Sequence, residues 1–203
     1  MTKRTVSTAP SLSLSWIPGG AGSVVGLKLP DVGVTDKGVM VPSTRIEGRR
    51  MVLDGKAIGY RPWSLSASNG HVRTIYHLAA RLGLEEVNKP YIDAVIAAKL
   101  PELLPDAPYK TITVVNLADA LWGTRGLALA RMERNQHDFP YVLFVADEKG
   151  LARKAWDLKA GQTAVIILDR QGAILFFKEG KLSPAEIRQA VGILQEALKP
   201  PKS

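Results

Sequence analysis

Not one of the 203 residues is a cysteine. A thiolate is the nucleophile of disulfide exchange and of thiol peroxidases, and it is a common zinc ligand, so those chemistries are closed to this chain. The absence is compatible with an oxidising compartment, where unpaired thiols are a hazard, and equally with the cytoplasm. No run approaches the roughly 18 apolar residues of a membrane span, so none is expected. Only three histidines occur, and His71 and His77 lie too far apart along one strand to share a metal without carboxylate help; no metal and no cofactor is expected. There is no Walker loop and no Gly-x-Ser-x-Gly elbow. Gly20, Gly22 and Gly26 are one residue out of step with a dinucleotide fingerprint and follow no strand, so they read as linker.

What the chain does carry is charge, at a formal net of +8, but residues 1–50, 51–110 and 111–203 are each net positive. Phosphate contacts must converge, and the one local cluster, Arg45, Arg49, Arg50 and Lys56, is broken by Glu47 and Asp54. It reads as a solvated basic loop, and no sequence-specific nucleic acid is expected. No helix-turn-helix pattern is present. A basic surface also favours anionic partners.

The clearest structural signal runs from residue 163 to 198. Thr163 to Leu168 is almost uniformly apolar, which predicts a strand buried on both faces. Asp169 to Gly172 offers two turn residues between it and the β-rich run from Ala173 to Phe177, which predicts an antiparallel hairpin. Ser183, Pro184 and Glu186 form a capping-box signature, and Ile187, Ala190, Val191, Leu194 and Leu198 fall on one helical face before Pro200 and Pro201. Upstream, Val72 to Tyr76, Thr111 to Val115 and Tyr141 to Val145 read as strands. Asn88 reads as the N-cap of a helix ending at Leu100, Leu127 to Asn135 as a second helix, and Lys149 to Trp156 as a short third. Strands alternating with helices and closed by a hairpin and a helix predict an α/β fold, a three-layer α/β/α sandwich with a mixed central sheet. At 46% hydrophobic the chain suffices for one sizeable core. Residues 1–24, rich in Ser, Thr, Gly and Pro with Trp16 and Ile17 as the bulky pair, read as a flexible arm, residues 25–199 as a single domain and residues 200–203 as a tail.

Gly26 to Gly38, Tyr60 to Trp63 and Gly70 to Arg81 look like the opening of a TlpA- or peroxiredoxin-type thioredoxin domain, in which a β-hairpin precedes the first core strand. More narrowly, the chain resembles the bacterial YtfJ family. The matching pieces are Val34 to Gly38, His77 to Arg81, Thr111 to Asn116 with Asp119 and Ala120, Ala155 with Trp156, and Ala164 through Gly180. The resemblance implies a thioredoxin-like fold with an N-terminal β-hairpin extension, export to the periplasm, a label as transcriptional regulators and no established activity. Members usually begin with a signal peptide. Here Lys3 and Arg4 suit a basic n-region, but Thr5 to Ser15 is not the apolar core of about 7–15 residues that should follow, which leaves the cytoplasm as the alternative compartment.

The same resemblance places Leu82 and Glu85 at the two positions where TlpA-like enzymes carry their CxxC cysteines, and Thr163 where those enzymes place a cis-proline. Around this vacated slot, His77, Arg81, Asn116 and Asp119 fall on the carboxyl-end rim of the core strands, where open α/β sheets bind ligands. A histidine general base beside an anion-binding arginine is one reading, and a small anion or a protein is the partner it implies. The alternative is structural: His77 packs beneath a helix with its ring hydrogen-bonded, Arg81 pairs with Glu85 or Glu86, and Asp119 caps the next helix. Trp122, beside Gly123, either anchors a partner or closes the core edge. The functions left open are a cell-envelope binding module without thiol-disulfide activity, a transcriptional regulator, and a non-thiol enzyme. Insulin reduction by dithiothreitol, followed by turbidity with and without equimolar protein, is expected to run at one rate, because no thiolate is present to attack a disulfide. Reproducible acceleration by pure protein would contradict that.

Overall fold

A computed structural model describes residues 24–101, 104 and 106–200. Most of the N-terminal arm expected from composition, with Trp16 and Ile17, and the last three residues of the tail lie outside the described residues. The strands are β1 (Gly33–Glu47), β2 (Arg50–Ser64), β3 (Val72–Ala79), β4 (Tyr109–Asn116), β5 (Leu143–Asp147), β6 (Thr163–Leu168) and β7 (Ile174–Glu179). The helices are α1 (Leu84–Val87), α2 (Lys89–Ala97), α3 (Arg125–Asp138), α4 (Leu151–Ala155) and α5 (Pro184–Ala197). One seven-stranded sheet runs in the order β2-β1-β5-β4-β3-β6-β7. Strands β3, β4 and β5 are parallel, and every other pairing is antiparallel, so the sheet is mixed as expected.

Strand parity decides which side chains meet which layer. Ile75, Ile112, Val114, Ala164 and Ile166 face one side, where they pack with Ala152, Trp156 and Leu158 of the α4 region. Tyr76, Val165 and Ile167 face the other, beneath α2 and α5. Val115 and Phe144 continue that face under Met132 of α3. Strand β6 lies between both layers and all six of its residues are buried, which is why its sequence is apolar throughout rather than alternating.

The capping box of α5 is present as read. Ser183 Oγ accepts from the Glu186 amide at 3.3 Å, and Glu186 accepts from the Ser183 amide at 2.7 Å. The hairpin between β6 and β7 is longer than the two residues expected. Asp169 Oδ1 accepts the amides of Gln171 and Ala173, both at 2.8 Å, and Gly172 adopts φ +87°, so the side chain folds a wider turn before pairing resumes. The basic cluster expected in a loop instead occupies the end of the β1–β2 hairpin, where Glu47 pairs with Arg50. Arg45 is held there by Glu47 at 2.6 Å and Asp54 at 3.2 Å, so its charge is locally matched.

Asn88 departs most from expectation. It stands at the N-cap position of α2, yet its side chain makes no capping bond. The side chain is buried and serves three distant groups: Nδ2 donates to Thr163 Oγ1 at 3.1 Å and to the Gly180 carbonyl at 2.9 Å, while Oδ1 accepts the Leu182 amide at 2.9 Å. One amide therefore joins the start of α2 to the start of β6 and to the segment leading into α5. Asn88→Ala would leave a buried amide and carbonyl unpaired, so a loss of about 2–4 kcal/mol is expected in urea unfolding, with the m-value unchanged. A loss under about 0.5 kcal/mol would show that water replaces the amide.

Candidate functional site

Strand β3 ends at Ala79, and the chain turns through Arg81, Leu82 and Gly83 into the single turn of α1. Gly83 sits before that helix with φ +85°, a conformation that costs a side-chain-bearing residue. Leu82 is 71% exposed. Glu85 forms an ion pair with Arg131 of α3, which fastens the turn to a neighbouring helix. Arg81 pairs with neither Glu85 nor Glu86 among the described residues. Its Nε donates to the Asp119 carbonyl at 3.2 Å.

Asp119 does not cap α3, whose N-cap position belongs to Thr124. Its carboxylate reaches the loop before β6, accepting the Gly161 amide at 2.8 Å. Gly161 adopts φ +70°, which favours glycine, and a Cβ there would stand 2.8 Å from the Arg81 guanidinium and push it aside. Arg81, Asp119 and Gly161 thus clasp the segments that follow β3, follow β4 and precede β6.

The other sequence-chosen rim residues lie deeper. His77 shares its sheet face with Ile75 and is 1% exposed. Its ring meets Trp156 edge-on with centroids 6.4 Å apart, and its Nε2 has no hydrogen-bond partner among the described residues. Burial pushes its pKa down to about 4, with Arg153 adding to the effect and Asp119 opposing it. A sealed, neutral imidazole cannot take a proton from a ligand on the rim, so the general-base reading of His77 is not supported by its position. Asn116 is fully buried, and its Oδ1 accepts the Ala118 amide at 3.0 Å, forming the turn after β4. Thr163 is also buried, engaged with Asn88 and donating to the Gly180 carbonyl at 3.3 Å. The structure therefore brings Arg81 and Asp119 together at the edge and leaves His77, Asn116 and Thr163 beneath it.

Sequence reasoning missed a groove. Between the Arg81–Glu85 segment and α3 lies a cavity of about 240 Å³, floored by Leu78, Ala80, Val115 and Phe144 and edged by Leu127, Arg131 and Arg134. Leu127 is 64% exposed and Trp122 fully exposed. The readable signal was the spacing of 127, 131 and 134 on one helical face, but nothing local to α3 says what stands opposite. Trp122 does not close the core edge. Thr124 binds the Leu121 carbonyl with both its amide at 3.0 Å and its hydroxyl at 2.8 Å, and this closed turn projects Trp122 outward.

A mixed sheet with helices on both faces and an N-terminal hairpin define a thioredoxin-like fold, here in a chain without cysteine. Comparison with known proteins agrees. A candidate thiol:disulfide interchange protein DsbE from Chlorobium tepidum superposes with TM-score 0.54 at 20% identity, covering 86% of this chain and 98% of that one, which speaks to the fold alone. The family model described as a bacterial protein of unknown function, YtfJ_HI0045, matches residues 25–197. The uncharacterized protein YtfJ of Escherichia coli (strain K12) is 32% identical over 199 residues, covering 98% of this chain and 100% of that protein. An uncharacterized protein of Haemophilus influenzae (strain Rd) is 32% identical over 155 residues, covering 76% of this chain and 82% of that one. The chain belongs to the YtfJ family.

The buried His77 makes stability depend on pH. Its pKa is lower folded than unfolded, so as pH falls below about 6.5 the unfolded chain binds the proton first; stability drops until about pH 4 and then levels. The wild type is expected to lose on the order of 3 kcal/mol across that window relative to His77→Phe, read from urea midpoints at each pH. Parallel curves for the two proteins would show that His77 titrates alike in both states.

Proposed function

We propose that this protein is a non-catalytic binding module of the cell envelope, without thiol-disulfide activity, and that it works through the former active-site face. The observation that carries the reading is what now occupies that face. Leu82 and an ion-paired Glu85, which the family resemblance matches to the cysteine positions of TlpA-like enzymes, lie beside an open apolar groove. A catalyst converts such an edge into reactive groups. Here the chain supplies exposed apolar surface, with Leu82 and Leu127 lining the groove and Leu121 and Trp122 in the turn that leads into α3, and exposed apolar groups beside a groove mark interaction sites. The compartment rests on the resemblance to exported family members. No helix among the described residues is long and apolar enough to cross a membrane.

The regulator reading has less to stand on, because Arg45 of the basic cluster is neutralised by its neighbours. The test is positional. A photo-reactive benzoylphenylalanine in place of Trp122, or in place of Arg188 on α5, is introduced in native host cells. Irradiation is expected to give discrete adducts from position 122 in the envelope fraction and none from 188. Adducts equal from both positions, absent from both, or confined to the cytoplasmic fraction would overturn the proposal.

A further inference from the structure

Two of the groove's three arginines have no carboxylate partner. Arg131 is paired with Glu85, but among the described residues Arg134 forms no ion pair, and Arg81 engages only a backbone carbonyl through Nε. Both unpaired guanidinium groups line the groove, and its one lining carboxylate, Glu85, is already committed. An arginine beside an apolar floor is more weakly hydrated than a lysine and offers a planar fork that matches a carboxylate.

The groove's α3 wall runs from Thr124 to Asn135, and at 1.5 Å per residue that is about 16 Å, the reach of roughly five residues of extended chain. Leu82 and Leu127 form apolar lips on opposite walls. A free metabolite anion would leave those lips wet. A second copy of this chain would bring another net +8 body against the unpaired arginines. What matches floor, lips and charge together is a short extended segment of another protein that alternates large apolar side chains with aspartate or glutamate.

Resting on the binding-module reading, we propose that the groove between the Arg81–Glu85 segment and α3 docks an acidic, apolar peptide segment of a partner protein. Apolar side chains of the segment fill the floor between Leu82 and Leu127, its carboxylates meet Arg81 and Arg134, and Trp122 covers one end.

The test uses the full chain, immobilised, and a displayed library of random 12-residue linear peptides. Recovered peptides are synthesised and titrated by fluorescence anisotropy. The expected consensus holds at least two large apolar residues with aspartate or glutamate and little lysine or arginine. Affinity should fall at least tenfold in Leu127→Glu and in Arg134→Glu, and remain within twofold in Arg188→Glu on α5. Exposure of positions 127 and 134 should leave the melting curves of these variants close to wild type. A peptide with its acids changed to lysine should regain binding to the Arg81→Glu, Arg134→Glu double variant. Failure to recover any peptide, or a basic or neutral consensus, overturns the proposal, as does affinity indifferent to the variants. A concentration-dependent dimer that Leu127→Glu dissolves would overturn it in favour of self-docking. A neutral consensus that still loses affinity in Leu127→Glu would sink the acidic partner and spare the binding module, so the two failures are distinguishable.

Discussion

One buried amide closes the junction where α2, β6 and the approach to α5 meet. Strand β6 is covered on both faces and flanked on both edges, so the backbone where it begins has no access to water. Asn88 reaches that point from α2 and also satisfies the carbonyl of Gly180 and the amide of Leu182, just before α5 is capped. Thr163 completes the set through its hydroxyl, which accepts from Asn88 while donating to the Gly180 carbonyl. Helix α1 and the turn before it are attached immediately ahead of Asn88. The turn from Leu82 to Glu85 therefore sits on a fixed base even though α1 is only four residues long and could not hold itself.

That arrangement explains which parts of the structure were legible from the residues. The apolar run of β6 and the Ser183–Glu186 box are local signals, read within a few positions of where they act. Asn88 also looks local, since an asparagine ahead of Lys89 and Pro90 resembles a cap. Its bonds instead go to residues 75 to 94 positions away, and no window of sequence contains both ends. His77 failed differently. Its strand was readable, but parity alone does not say which face opens to the rim and which packs on α4, and one step of register separates a ligand contact from a buried ring.

The turn after β3 is fastened to its neighbours on two sides. A reactive turn needs an accessible nucleophile and a locally tuned charge. Here Glu85 is tied to Arg131, a link between α1 and α3 that a cysteine could not form. Arg81 is drawn across to Asp119, and Asp119 in turn holds Gly161. The segments after β3, after β4 and before β6 are joined by side-chain-to-backbone hydrogen bonds. Such a face suits recognition by a preformed surface, because the ordering cost is met in folding and not at encounter.

Rigidity at the edge also gives meaning to the exposed apolar side chains beside it. A leucine or tryptophan on a floppy loop can fold back onto the body of the protein and reduce its contact with water. Trp122 cannot do so readily, because Thr124 closes the turn on Leu121 with two hydrogen bonds and Gly123 holds φ +79°. Leu127 is fixed on the first turns of a fourteen-residue helix whose other side is anchored by Met132, and Gln136 near its end donates to the Val142 carbonyl. The apolar surface around the groove is thus held outward by the same local bonds that define α3. Its exposure therefore follows from how the chain folds rather than from a lack of packing.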